Sequence, residues 1–300
     1  MDKLRAMATF VRIVDAGSLS AAAAGRGDSL SAVVRNLAAL EAELGVRLLN
    51  RSTRRIALTD EGRDYYARCQ RVLAEVEDAE AMLSARRRTP AGRLAITAPV
   101  RFGSLHVAPL VTAFLQDHAT MSADLLLLDR VVDLLEEGLD LAFRIGNLPD
   151  SSLVAVKLGA TRRLVCASPE YLDQHGGPQQ PQDLAQHRCL RFTGLSPGTD
   201  WKFIAAGKPV VVTVAGSLTT NQVDAALTAC LAGLGCGRFL GYQVAAHLAS
   251  GRLVALLQDF EPPPLPVQLL YPHSRLLSPR VRSFVDWVLP RMRARLADIV

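Results

Sequence analysis

The chain has 300 residues, of which 49% are hydrophobic, and a formal net charge of +5. This length and apolar content predict two or three domains with sizeable cores, and no apolar run approaches the roughly 20 residues of a membrane span. The basic charge permits binding to nucleic acid without requiring it.

The first elements in the chain are helical patterns that begin at capping residues. Residues 1–5 lead into an amphipathic helix instead of a secretory signal, so we expect a cytoplasmic protein. Residues 16–24 combine a turn, a cap and strong helix formers. A second helix starts at Asp28 or Ser29, and its apolar stripe ends at Gly45. This spacing predicts a helix-turn-helix, whose second helix enters the DNA major groove.

The next segment predicts a basic wing. Residues 46–58 contain arginines and no acidic residue, and their apolar alternation near Ile56 suits a short strand. We interpret the segment as a two-stranded wing whose arginines face phosphates or a narrow minor groove. The alternative is a solvated basic loop beside an ordinary helical pair. Residues 59–62 then start another helix with an acidic first turn, which the helix dipole favours.

The order of these blocks resembles the LysR-type family of transcriptional regulators. The length and the downstream organisation extend the resemblance over the whole chain. It implies a DNA-binding head, a dimerisation helix that places two heads on one operator, and an effector-binding domain. The residues that carry it are 1–4, 10, 16–23, 31–33, 35, 40–41, 44–49, 51–55, 58–59 and 62.

We expect the second helix and the wing to contact DNA. Leu30 stands where the family commonly has glutamine, and Val34 where it commonly has serine, and neither side chain donates a hydrogen bond. We hypothesise that base reading has shifted towards contact with thymine methyls and towards Ser31 and Arg35. The expected DNA-binding residues are Ser29, Leu30, Ser31, Val34, Arg35, Arg51, Thr53, Arg54 and Arg55.

Two charged residues also depart from the family pattern. Arg26 and Asp28 replace apolar residues, so both are expected near the small core of the head. A charge buried there costs several kcal/mol unless it reaches solvent. The alternatives are therefore a retuned DNA head and a weakened one.

Residues 60–88 predict one long helix, followed by a polar hinge at 89–93. Its apolar residues recur at alternating spacings of four and three, which suits pairing with another helix. The alternative is that this stripe packs on its own domain. We favour dimerisation, because a small head offers such a helix little to cover. The stripe consists of Tyr65, Cys69, Val72, Val76, Ala79 and Leu83.

Beyond the hinge, strands alternate with helices over residues 94–300, which predicts a parallel-sheet α/β domain. We expect one lobe over about 94–162 and 267–300 and a second over about 163–266. A helix is expected over 131–137. The two crossing segments resemble a periplasmic-type binding fold, so the overall class is α+β: a winged helix-turn-helix at residues 1–59, a linker helix and a two-lobed α/β effector domain.

Candidate effector-binding residues lie at the carboxyl ends of strands and at helix starts. Arg101 and Arg144 could pair with a carboxylate, so we expect a small organic anion, and Phe102 would make the mouth partly apolar. The alternative is that both arginines are solvated or form internal ion pairs. The expected residues are Pro99, Val100, Arg101, Phe102, Gly103, Arg144, Gly146, Thr220 and Asn221, with residues 220–221 capping a helix.

The cysteines and histidines form no ligand pattern. The five cysteines are odd in number, widely spaced and without a Cys-x-x-Cys pair, which argues against disulfides and zinc. No histidine pair has i, i+4 spacing. We expect no metal and no cofactor. A redox switch between Cys230 and Cys236 is the alternative that their spacing leaves open.

Three functions therefore compete. The first is a ligand-responsive regulator that binds double-stranded DNA and a small-molecule effector as a homo-oligomer, a dimer through the linker helix and further a tetramer, without membrane contact. The second is an α/β enzyme, which the sequence disfavours because it lacks a nucleophile elbow, a phosphate loop and a dinucleotide turn. The third is a binding protein with a weakened DNA head.

Overall fold

The computed structural model describes residues 2–24, 28–51, 56–84, 90–147, 153–194, 198–272 and 278–297. The chain divides into two compact units, Met1–Thr89 and Pro90–Val300. Among the described residues, no helix is both long and apolar enough to cross a membrane.

The first unit is a small helical domain with a two-stranded wing, as the sequence predicts. Glycines in the left-handed conformation end two of its helices, Gly17 at φ 67° and Gly45 at φ 70°. The two wing strands are antiparallel and pair Leu49 with Leu58. The elements are α1 (Lys3–Ala16), α2 (Leu19–Ala24), α3 (Leu30–Leu44), β1 (Leu49–Arg51), β2 (Ile56–Leu58) and α4 (Asp60–Ser84).

The start of α4 is fixed against Leu48, the residue directly before β1. Thr59 caps the helix, because its Oγ1 accepts a hydrogen bond from the Gly62 amide at 2.9 Å. A Cβ on Gly62 would lie 2.0 Å from the Leu48 carbonyl oxygen, so only glycine fits this approach. The linker helix therefore begins in direct contact with the head.

Lobe 1 of the second unit contains a five-stranded mixed sheet in the order β4-β3-β5-β14-β6, in which β14 (Leu265–Pro272) is the returning strand. The β3 strand is parallel to β4 and β5, as the predicted parallel sheet requires, whereas the returning β14 is antiparallel to β5 and β6, so the sheet is mixed. The chain-order elements are β3 (Gly92–Ala98), α5 (Val100–Phe102), α6 (Ala108–Asp117), β4 (Met121–Leu127), β5 (Leu141–Ile145) and β6 (Leu153–Thr161).

Lobe 1 contains two irregular segments, one between α5 and α6 and one where the sequence predicts a helix. A π-helical turn, Gly103–Val107, joins α5 to α6. The helix predicted over 131–137 is wrong, because residues 134–138 form a turn and residues 131–133 have no regular structure. The Asp133 carboxylate accepts hydrogen bonds from the Leu135 and Glu136 amides, which offers the backbone a local alternative to a helix.

Lobe 2 has its own five-stranded sheet, in the order β11-β8-β12-β7-β13, and a separate β9-β10 hairpin. After it the chain returns to lobe 1. In lobe 1, β14 is followed by α10 (Pro279–Ala297). The elements of lobe 2 are β7 (Arg163–Ala167), α7 (Pro169–His175), β8 (Cys189–Phe192), β9 (Asp200–Ala205), β10 (Lys208–Thr213), β11 (Thr219–Thr220), α8 (Val223–Leu231), β12 (Cys236–Leu240), α9 (Gly241–Ala249) and β13 (Val254–Leu256).

The lobe 2 sheet carries a different apolar core on each face. One core includes Phe239 together with residues of α8 and α9. The other includes Val165 and Trp201, so it lies under the β9-β10 hairpin. Because Cys236 and Phe239 of β12 belong to different cores, this central strand is covered on both sides.

Candidate DNA-binding surface and effector cleft

Helix α3 has one face in the core of the head and one face in solvent. Ser29 is its N-cap, since the Ser29 Oγ accepts a hydrogen bond from the Ala32 amide at 3.2 Å. Val33, Leu37 and Leu40 are buried in the core shared with α1. The predicted recognition residues lie on the other side: Ser29, Leu30, Ser31 and Arg35 are exposed, and Val34 is half-buried.

The charge expected in the small core is accommodated at its edge. Asp28 is half-buried, and its carboxylate accepts hydrogen bonds from the Arg12 guanidinium at 3.2 and 3.3 Å. Arg5 lies 3.8 Å from the same carboxylate. Since the charge is paired and partly solvated, Asp28 links α1 to the start of α3. Arg26 lies outside the described residues.

The wing is anchored to the end of α3. The Glu41 carboxylate accepts hydrogen bonds from the Leu48 and Leu49 amides at 2.9 and 3.3 Å. This acidic side chain therefore holds β1 against α3. The backbone of Arg51 ends β1. The Arg51 side chain, Thr53, Arg54 and Arg55 lie outside the part of the chain whose side chains are described.

The apolar stripe of α4 is divided between two environments. Cys69 is fully buried in the core of the head, and Tyr65 packs against Phe10 with ring centroids 6.0 Å apart. The first positions of the stripe thus cover their own domain. Val72 is exposed, and it marks the point where the stripe leaves the head. Of the later positions, Val76 is half-buried, while the side chains of Ala79 and Leu83 lie outside the described set.

The candidate cleft begins where β3 ends. Pro99 is the N-cap of α5, and the Val100 amide donates a hydrogen bond to the Asp129 carboxylate at 3.0 Å. A Cβ on Gly103 would lie 2.2 Å from the Leu127 side chain, so glycine lets the π-helical turn approach β4. The first turn after β3 is therefore held by Asp129 and Leu127.

Arg101 connects the two lobes. Its guanidinium forms an ion pair with the Asp224 carboxylate in the first turn of α8 and donates to the Gln243 carbonyl oxygen of α9 at 3.3 Å. Its Nε is buried without a hydrogen-bond partner among the described residues. Burial lowers the pKa of Arg101. Arg101, which was expected to bind an anionic effector, thus already has a carboxylate partner within the protein.

Arg144 is the second predicted cation, and it is only 8% exposed. Its Nη1 donates to the Phe143 carbonyl oxygen at 3.1 Å, and its Nη2 is buried without a described partner. The unpartnered Asp129 Oδ2 and Thr97 Oγ1 are also buried in lobe 1. Burial lowers the pKa of Arg144, and the charge of Glu137 opposes this shift. Arg144 is therefore a charged donor with unused hydrogen-bonding capacity.

Phe102 lies between the lobes and not at an open mouth. It is fully buried, and its ring meets Tyr242 of α9 edge-on with centroids 5.3 Å apart. His106 packs against both rings, with centroids 5.1 Å from Phe102 and 5.6 Å from Tyr242. These three rings form an apolar contact beside the Arg101 ion pair.

The lobe 2 side of the cleft differs from the sequence prediction. The N-cap of α8 is Gln222, so the prediction that residues 220–221 cap this helix is wrong. Thr220 Oγ1 instead accepts a hydrogen bond from the Gln222 amide at 3.1 Å, which forms a local turn. Asn221 is exposed. On lobe 1, Gly146 follows β5 in a positive-φ conformation, at 125°.

Four residues of this region were missed by the sequence prediction: Asp129, Asp224, Tyr242 and Gln243. Only Asp224 carried a local signal, as an acid in the first turn of a helix. The other three are defined by contacts between distant segments. Among the described residues, no group of three or more His, Cys, Asp or Glu side chains could hold a metal ion.

A winged helix-turn-helix head followed by a two-lobed α/β domain is the architecture of a class of DNA-binding transcriptional regulators. The sequence model of the LysR substrate binding domain matches residues 87–293, and that of the lysR-family bacterial regulatory helix-turn-helix protein matches residues 4–63. The chain belongs to the LysR-type family of transcriptional regulators. It is therefore a regulator with a DNA-binding domain, and not an enzyme.

Relatives and solved structures agree over nearly the whole chain. An HTH-type transcriptional repressor of Pseudomonas aeruginosa is 38% identical over 291 residues, which cover 96% of this chain and 92% of the repressor. The full-length virulence activator AphB of Vibrio cholerae has a TM-score of 0.63 at 29% identity, covering 96% of this chain and 99% of AphB. The LysR-type regulator CrgA of Neisseria meningitidis has a TM-score of 0.61 at 34% identity, covering 96% and 98%.

Proposed function

We propose that this regulator binds a specific operator through α3 and the wing, and that a small organic anion in the cleft between the lobes modulates this binding. The observation that carries the proposal is the Arg101 contact, which joins a helix start of lobe 1 to α8 and α9 of lobe 2. A ligand that competes for this guanidinium would change how the lobes are held together. The protein would act in the cytoplasm, where its DNA partner is.

The chemistry of the exposed α3 face supports a particular mode of base reading. Ser31 and Arg35 supply donors, and a guanidinium can bond to guanine in a bidentate manner. Leu30 is 48% exposed, so it can contact a thymine methyl. The buried face of α3 holds these side chains on a rigid support, which favours specific contacts. The alternative function, a ligand-binding protein with a weakened DNA head, requires that this face makes no productive contact.

The anion class is supported by two incompletely satisfied guanidinium groups. The Nη2 of Arg144 and the Nε of Arg101 are both buried, and neither has a hydrogen-bond partner among the described residues. Burying a charged donor without an acceptor is costly, so an acceptor on a bound ligand would be favoured. Carboxylates match guanidinium geometry and form short, charge-assisted bonds. A carboxylate ligand is therefore the class that we expect.

We further propose that the protein is a dimer through α4 and assembles into a tetramer. The exposed Val72 continues the apolar stripe beyond the part that the head covers. A helix that presents apolar residues to solvent gains stability by pairing with the same helix of a second copy. Two heads on one assembly would then bind two half-sites of an operator.

The decisive experiment is a selection of genomic fragments by the purified full-length protein. A sequence motif should emerge, and Arg35→Ala should change the preferred bases within it, because this side chain is expected to read base edges. Lys3→Ala is the matched control, since Lys3 is an exposed cation of the same head that pairs with Glu43. Failure to retain any fragment at low salt would favour the weakened-head alternative.

The effector part needs a separate test. Small carboxylic acids should be titrated into the protein–operator complex, and the operator affinity measured at each concentration. At least one acid should change the affinity of the wild type, and this response should be lost in Arg144→Gln, which removes the charge but keeps polar atoms. If the same acid acts equally on Arg144→Gln, then Arg144 is not part of the effector site.

A further inference from the structure

Three arginines project from one face of the lobe 2 sheet. In the β7-β12 pair, Arg238 lies opposite Val165, and Arg163 lies opposite Leu240. Residues opposite each other share a face, and residues two apart in a strand share it as well, so Arg163 and Arg238 are diagonal neighbours. On the other side of β12, Cys189 is paired with Cys236, which places Arg191 of β8 on this face too. The three residues thus lie on three adjacent strands.

No carboxylate neutralises these arginines within the described part of the chain. Arg238 is only 6% exposed, and its described contact is with the Trp201 ring, whose centroid lies 5.0 Å from the guanidinium carbon. Arg163 and Arg191 are half-buried, and each has a buried Nε without a described hydrogen-bond partner. The face therefore collects positive charge beside an indole.

This arrangement has an electrostatic cost. Burial, together with the charge of Arg163, lowers the pKa of Arg238 to about 9. Burial also lowers the pKa of Arg163. Both directions mean that the charged forms are disfavoured by their surroundings. A bound anion would offset this cost, because it supplies the missing opposite charge and hydrogen-bond acceptors.

This arginine face, made of Arg163, Arg191 and Arg238, lies on the opposite side of the lobe 2 sheet from the helices that contact Arg101. It belongs to the sheet face that packs under the β9-β10 hairpin with Trp201. The helices that contact Arg101, namely α8 and α9, contribute to the core on the opposite face. A ligand on the arginine face would therefore contact a different set of side chains from a ligand in the cleft.

We propose that the arginine face is a second anion-binding site, and that its ligand is a small oxyanion with two negative charges. Three guanidinium groups exceed what a single carboxylate can satisfy, and their planar forks match phosphate and carboxylate oxygens. The half-buried Arg163 and Arg191 give the ligand a route from solvent, while the buried Arg238 lies at the bottom of the site. This site does not depend on the proposed operator or effector.

The test uses the tryptophan at the site as a local reporter. The chain has two tryptophans, so Trp287→Phe leaves Trp201 as the only one in the full-length protein. Inorganic phosphate and succinate should be titrated separately, with the ionic strength held constant by sodium chloride. We expect a saturable change in Trp201 fluorescence with at least one of them. The anion that binds with the higher affinity identifies the ligand class as phosphate-like or as a dicarboxylate.

Matched variants in the same reporter background locate the binding. Arg191→Leu and Arg238→Leu should each weaken the response by roughly tenfold or more, because each removes a charge-assisted contact. Arg191 is half-exposed, so Arg191→Leu keeps the test valid should Arg238→Leu fail to fold. Arg252→Leu removes an exposed arginine elsewhere in lobe 2 and should bind like the parent.

Two results would overturn the second site. One is the lack of a saturable response to both oxyanions. The other is a response that persists in Arg191→Leu and Arg238→Leu but disappears in Arg101→Gln, because the anion would then occupy the effector cleft. Operator affinity, measured separately, plays no part in either outcome.

Discussion

The Arg101 guanidinium and the Asp224 carboxylate form an ion pair between the lobes, although 123 residues separate them in the chain. Asp224 is 61% exposed in its side chain, whereas Arg101 is 20% exposed. Because solvent screens the carboxylate, the pair contributes about 1 kcal/mol or less to folding. The pair is one contact between the lobes, beside the contact of the Phe102 and Tyr242 rings.

We therefore expect Asp224→Asn to loosen the contact between the lobes without unfolding either of them. The thermal midpoint should change little, while amide hydrogen exchange should become faster at the start of α5 and in the first turn of α8. Asp173→Asn, an exposed acid of α7, is the control. Unchanged exchange in Asp224→Asn would show that the lobes are held by other contacts.

The wing arginines give a prediction about salt. If Arg51, Arg54 and Arg55 neutralise phosphates, changing one of them to alanine should weaken binding to all sequences alike. The slope of log affinity against log salt concentration should fall by about one unit, because one fewer counterion is released. Fluorescence anisotropy at several salt concentrations measures this slope. An unaltered slope in all three variants would argue against the wing contacting DNA.

Because the pKa of His106 is lowered in the folded protein, we expect the free energy of unfolding to fall in acid. Burial, with a smaller contribution from the charge of Arg295, lowers the pKa of His106 to about 4 from its ordinary value of 6.5. The unfolded chain therefore binds a proton more readily than the folded one, so stability is lost as the pH falls from 6.5 towards 4. Below both pKa values, protonation of His106 has lowered the free energy of unfolding by about 3 kcal/mol.

The measurement is urea unfolding at several pH values for the wild type and His106→Leu. Leucine removes the titrating group and keeps an apolar side chain between Phe102 and Tyr242. The free-energy difference between the two proteins should move in favour of His106→Leu as the pH falls over this window. Parallel pH profiles would mean that His106 does not control acid stability.

The cysteines are expected to be unreactive in the native protein. All five are buried, and burial raises the pKa of Cys189 and of Cys230 to about 12. Burial also raises the pKa of Cys69, Cys166 and Cys236. Because the thiolate is the reactive form, a thiol reagent at pH 8 should label native protein very slowly and all five sites after unfolding.

The same labelling experiment tests the redox alternative. Cys230 and Cys236 belong to the cores on opposite faces of the lobe 2 sheet, so a disulfide between them would require local unfolding. Treatment of the native protein with peroxide should leave the number of titratable thiols unchanged. A loss of two thiols without loss of folding would contradict this expectation.

Local signals made most of the head predictable. Ser29, Thr59 and Gly45 act at the ends of helices within three or four residues of the groups that they cap, so sequence spacing alone reveals them. The segment at 131–137 was mistaken for a helix because its apolar residues have helical spacing. The hydrogen bonds of the Asp133 carboxylate compete with the backbone hydrogen bonds of a helix. The spacing of apolar residues gives no information about this competition.

The helix ends of the head, the family and the basic character of the wing follow from the amino-acid sequence, because they depend on neighbouring residues and on motifs in fixed order. The contact of Arg101 with Asp224, the burial of Phe102 against Tyr242, and the shared face of Arg163, Arg191 and Arg238 follow from the packing of distant segments. Strand order and register bring such residues together across long stretches of chain, and no local pattern records which strands will pair.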